Sequence, residues 1–182
     1  MSQLEQAIAA VAQRQRDPAA RIRVPVGVIG PRDVGPARYE VARALARGIA
    51  QMGLVLVCGG RGGVMEAACL GASEAGGIAV GILPDGEPAS ANPYAGIVLA
   101  TGIGEARNAI IARAAFCLVA IGDSFGTLSE VALARQFGRH VIGIEGAARL
   151  DGVEHVASVE EALLAVARQA LSYACETGVA AR

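Results

Sequence analysis

Six short apolar runs, at residues 24–29, 54–58, 78–83, 97–100, 116–121 and 141–144, alternate along the chain with Ala-rich stretches of helical period. A strand that is apolar along its whole length, rather than at every second residue, is buried on both faces, and the intervening helices supply the two covers. The pattern therefore predicts an α/β fold, a doubly wound, mainly parallel sheet of about six to seven strands with helices on both faces. The punctuation agrees. Pro36 opens a helix that runs through Tyr39, Val41, Leu45 and Ile49 and stops at Gly53, following the preference for Pro at a helix start and Gly just past its end. Ser158 with Glu161 forms a capping box ahead of a last helix. Residues 1–22 form a helical arm, residues 23–182 a single domain, and the turn-rich segment 85–93 an exposed loop of the kind that covers ligands.

A length of 182 residues with 53% hydrophobic content suits one packed domain. The net charge of -1 and the 3% aromatic content lack both the positive surplus and the stacking side chains that nucleic acids need. All sixteen basic residues are Arg and none is Lys. That excludes Lys-dependent phosphate loops, Schiff-base enzymes and pyridoxal-phosphate enzymes together. Two His and four Cys without C-x-x-C spacing argue against a metal site. Cys58 and Cys117 lie inside apolar runs, where a reduced thiol packs as a small hydrophobe. No signal peptide and no membrane span is discernible, so a cytoplasmic location is expected.

Four Gly-containing turns follow predicted strands, beginning at Gly30, Gly59, Pro84 and Gly122. In a doubly wound sheet all four lie at the carboxyl edge, where helix N-terminal amides favour an anion. Gly30, Gly59, Gly60, Gly62, Gly63, Gly122, Ser124, Gly126, Thr127 and Asn108 are therefore expected to hold a phosphate or nucleotide. The run Gly59 to Gly63 lacks the G-x-G-x-x-G spacing of dinucleotide sites. Glu130 either supports the start of its own helix or hydrogen-bonds a sugar hydroxyl and activates water. Arg107, which follows a Gly-rich loop, is a surface charge or a bidentate anion contact; Arg32 and Arg61 pose the same choice.

With these motifs in view, the chain resembles the Lonely-Guy-like family of Rossmann-type nucleotide-binding proteins, often labelled possible lysine decarboxylases, and within it the subgroup that includes molybdenum cofactor carriers. The resemblance rests on Cys58-Gly59-Gly60-Arg61-Gly62-Gly63-Val64-Met65-Glu66, on Gly81-Ile82-Leu83-Pro84, on Ala106-Arg107-Asn108, and on Gly122-Asp123-Ser124-Phe125-Gly126-Thr127-Leu128-Ser129-Glu130. It implies that Arg107 and Glu130 are the catalytic pair of a nucleoside 5'-monophosphate phosphoribohydrolase, which cleaves the N-glycosidic bond without a cofactor. It equally implies the alternative of a non-catalytic carrier or sensor of a nucleotide-like ligand, and a homo-oligomer. Two departures bear on that choice. Asp123 stands where the phosphate motif has Gly and would oppose a phosphate by like charge. Asn108 stands where Lys usually follows the Arg, as in the carriers. The decarboxylase label fails on the missing lysine alone.

Overall fold

The computed structural model describes residues 1–176; the expected domain end at residue 182 lies outside them. In chain order the elements are α1 (Gln3–Gln15), β1 (Val26–Ile29), α2 (Pro36–Gln51), β2 (Leu56–Cys58), α3 (Val64–Glu74), β3 (Ala79–Leu83), β4 (Ile97–Ala100), α4 (Arg107–Ala114), β5 (Cys117–Ile121), α5 (Phe125–Gln136), β6 (His140–Ile144), β7 (Val153–His155) and α6 (Val159–Glu176).

Among the described residues the strands form one seven-stranded sheet in the order β4-β3-β2-β1-β5-β6-β7, and every neighbouring pair is parallel. The apolar runs explain the sheet's centre. Every residue of β1, β2 and β5 is buried. One face is covered by a core drawn from α1, α2, α3 and α6, including Val11, Leu45, Ala67 and Val166. The other is covered by α4 and α5 through Ile111, Ala112, Val131 and Ala134. No helix among the described residues is long and apolar enough to cross a membrane.

The expected α/β sheet is present, with boundaries displaced by a residue or two. β1 starts at Val26 instead of residue 24 because Pro25 has no N–H for the ladder, although its carbonyl accepts from Phe116 N at 3.0 Å. β2 starts at Leu56 because Leu54 N still reaches back to Ile49 O at 3.4 Å, as part of the turn that ends α2. β7 was not among the six apolar runs: Val-Glu-His is an edge strand with no apolar stretch to mark it. Both helix signals hold. Pro36 occupies the first turn of α2, and Gly53 beyond its end has φ 73°. Ser158 Oγ accepts from Glu161 N at 3.1 Å, while the Glu161 carboxylate accepts from Ala157 N at 2.8 Å, one residue upstream of the cap.

Residues ahead of β1 are docked. Val11 is fully buried in the larger core, and the Gln15 amide donates to the carbonyls of Ile22 and Gly53, each at 3.2 Å.

The strand order fixes where a ligand can enter. The chain lays down β1 to β4 towards one edge and resumes with β5 on the other side of β1. The segments leaving β1 and β5 therefore part company and leave a crevice at their carboxyl ends.

Candidate functional site

A cavity of about 480 Å³ occupies that crevice. Its polar wall comes from the first turns of α4 and α5. Ser124 caps α5: its Oγ accepts from Thr127 N at 3.1 Å and lies 2.8 Å from Thr127 Oγ1. The cap occupies the third amide of the helix and leaves those of Phe125 and Gly126, which have no partner within the helix, for an anion.

Arg107 begins α4 and Glu130 lies in the second turn of α5; they are 5% and 6% exposed, an uncommon depth for charged side chains. Arg107 Nη1 stands 3.5 Å from Glu130 Oε1. The same nitrogen donates to Asn108 Oδ1, Asn108 Nδ2 donates to Ser129 Oγ at 3.0 Å, and Ser129 Oγ donates to Gly126 O at 2.7 Å. A continuous polar chain thus joins the guanidinium to the start of α5. Arg107 Nε is buried without a hydrogen-bond partner.

Burial pushes the Glu130 carboxyl up to about 8, with Arg107 pulling it down only in part and Glu105 adding to the rise. At neutral pH the group therefore holds its proton. A neutral Glu130 neither repels an anion nor cancels the charge of Arg107.

Of the residues expected to contact a ligand, Gly30, Arg107, Asn108, Ser124, Gly126, Thr127 and Glu130 line this cavity. Gly62 lines a second one of about 440 Å³. Gly59, Gly60, Gly63 and Gly122 line neither, and each packs closely on other parts of the protein. A Cβ on Gly59 would stand 2.8 Å from Arg107 Nη2, so this glycine admits the guanidinium. Gly60 packs on the backbone of Gly81, Gly63 with φ 63° packs on the carbonyls of Pro31 and Arg32, and Gly122 lies under the Arg38 guanidinium. Asp123 is exposed and is not among the residues that line the cavity.

Arg32 and Arg61 border both cavities. Arg61 is engaged by Asp85 at 2.6 Å across the second and third turns, whereas Arg32 is exposed. The expected loop at 85–93 is pinned by Asn92, 8% exposed, whose Nδ2 donates to the carbonyls of Gly60 and Arg61, each at 3.1 Å.

Sequence reasoning did not single out Arg38, Asn92, Met65, Glu105 or Phe125. Arg38 was findable, since Pro36 marks the first turn of a helix starting at the ligand edge. Asn92 carries no such signal within a segment rich in turn formers. The thiols of Cys58, Cys69 and Cys117 are free and buried. No cluster of three or more metal-binding side chains occurs among the described residues.

A family model described as the SLOG cluster4 family matches residues 23–173. An uncharacterised protein of Archaeoglobus fulgidus is 38% identical over 138 residues, covering 76% of this chain and 91% of its own. The structure of the molybdenum cofactor binding protein of Rippkaea orientalis superposes with a TM-score of 0.75 at 34% identity, over 80% of this chain and 96% of the other. The molybdenum cofactor carrier protein of Chlamydomonas reinhardtii gives 0.74 at 35% identity, over 82% and 99%.

Proposed function

The chain belongs to the SLOG cluster4 family, and from that premise we propose that it binds a phosphorylated, nucleotide-like heterocycle of the molybdenum cofactor type and carries it without turnover. The observation that carries this reading is the buried Arg107–Glu130 pair beside the start of α5, where burial favours the protonated carboxyl. A neutral carboxyl leaves the guanidinium charge for the ligand's phosphate, which the Phe125 and Gly126 amides and the Thr127 hydroxyl receive from the other side. Likeness to carriers at about 35% identity supports it. Asn108 supports it too: in place of a lysine it links Arg107 to α5 by hydrogen bonds and adds no second cation.

The alternative, a nucleoside 5'-monophosphate phosphoribohydrolase, is favoured by one observation: the Arg and Glu of its motif meet beside the helix start. Its chemistry asks Glu130 either for a negative charge, to stabilise an oxocarbenium-like ribose or to activate water, or for a proton delivered to the leaving base, the role a raised pKa suits.

Incubation with the common nucleoside monophosphates separates the two. The carrier reading predicts no free base and no ribose 5-phosphate above the uncatalysed background, alongside saturable binding of a phosphorylated pterin. Release of base by the wild type, abolished in Glu130→Gln, would establish the hydrolase instead.

A further inference from the structure

Phe125 is 94% exposed, by far the most exposed of the chain's large aromatic side chains. The chain has three Phe, three Tyr and no Trp, so aromatic surface is scarce, and the other phenylalanines are used. Phe116 packs against Tyr173 with ring centroids 5.3 Å apart, and Phe137 lies under the Arg113 guanidinium at 4.3 Å. Among the described residues Phe125 is the one phenylalanine with neither a ring nor a cation partner.

Its position narrows what covers it. Phe125 is the first residue of α5, borders the 480 Å³ cavity and follows the cap residue Ser124 directly. Nothing in the helix start requires an aromatic there, because position N1 accepts most residues. Its chain neighbours are polar or lack a side chain: Asp123, Ser124 and Gly126. A protein partner would be met by a contiguous apolar patch. Ile103 and Ile110 are also exposed, but neither lines the cavity; a flat apolar face on the cavity rim, next to helix amides that favour an anion, suits a planar heterocycle with hydrogen-bonding edges.

We propose that Phe125 is the stacking platform for the aromatic heterocycle of a ligand whose phosphate sits at the start of α5. This rests on the binding reading above and adds the ligand's second recognised part. The helix start and Arg107 select the anion, and Phe125 selects for a π-face. Sugar phosphates that lack a base are thereby disfavoured.

The test uses the full chain and three probes: AMP and neopterin monophosphate, which carry a heterocycle, and ribose 5-phosphate, which does not. Phe125→Ala is expected to weaken the two heterocyclic probes by about 5- to 150-fold in calorimetry, the range that base–aromatic stacking spans. Ribose 5-phosphate is expected to bind wild type and variant within about two-fold of each other. Phe125→Trp places a single tryptophan in the chain; its emission is expected to be quenched saturably by the heterocyclic probes and left unchanged by ribose 5-phosphate. Equal affinities of wild type and Phe125→Ala for all three probes, or an equal loss for all three, would overturn the platform while leaving the phosphate site standing. A wild type that binds none of the probes overturns the binding reading and this proposal with it. A change of oligomeric mass in Phe125→Ala with unchanged affinities assigns the ring to a subunit contact and also overturns it.

Discussion

An Arg107→Ala variant is expected to remain folded, lose roughly 2–4 kcal/mol of stability and bind a phosphorylated ligand about 100-fold more weakly. The stability loss follows from what the side chain touches. It is 5% exposed, seats its guanidinium over Gly59 and holds both Asn108 and Glu130, so truncation leaves a void and strands the Asn108 carbonyl oxygen. The fold survives because Glu130 already holds a proton at neutral pH, and losing the nearby cation only strengthens that state. The affinity loss is larger than a surface arginine would give because this side chain is itself only 5% exposed, where its charge is less screened. Arg107→Lys is expected to recover little, since a compact ammonium lacks the planar fork that lets a guanidinium hold its protein partners and grip an anion in bidentate fashion. Thermal denaturation and titration calorimetry with neopterin monophosphate read both effects. Unchanged ligand affinity in Arg107→Ala would remove this residue from the site.

The second large effect is one of pH. Folding raises Glu130 from its ordinary value near 4.5 to about 8, through burial. Below pH 4.5 both states bind the proton and nothing is lost. Between 4.5 and 8 the folded state holds a proton that the unfolded state has released, so stability falls as pH rises through this window and levels off above it. Glu130→Gln abolishes the titration, and relative to it the wild type is expected to lose on the order of a few kcal/mol between pH 5 and 9. Ligand binding should show the same group. Above about pH 7 a phosphate monoester is already mostly dianionic, so a decline in affinity towards pH 9.5 reports ionisation of Glu130 beside Arg107. We expect the decline to reach about ten-fold or more in wild type and to be absent in Glu130→Gln, which at pH 7 should bind nearly as well as wild type. Parallel pH profiles in the two proteins would contradict a protonated Glu130.

How far the sequence carried depended on the kind of force involved. The buried strands were legible because β1 and β5 are apolar throughout, and hydrophobic burial is a property of the run itself. β7 was not, because Val153–His155 gains its place from pairing with β6 at the sheet edge. Within the site, the helix start after β5 was legible because a glycine turn follows an apolar run, whereas the cap formed by Ser124 was not read from the sequence. The functions of individual glycines were not. Gly59 and Gly122 each pack against an arginine from a distant helix, Arg107 and Arg38, a close approach that residue type alone does not announce. The protonation of Glu130 was equally hidden, because it depends on depth in the fold. For Asp123 the charge is plain in the sequence, whereas its exposure is a property of the fold.

All of this converges on the start of α5 as the place where an anion is held. A crystal structure of the full chain with neopterin monophosphate tests it most directly. The account predicts the phosphate within hydrogen-bond reach of the Phe125 and Gly126 amides and of the Arg107 guanidinium. Phosphate seated in the neighbouring cavity against Arg61 and Asn92, with the first turn of α5 unoccupied, would contradict it.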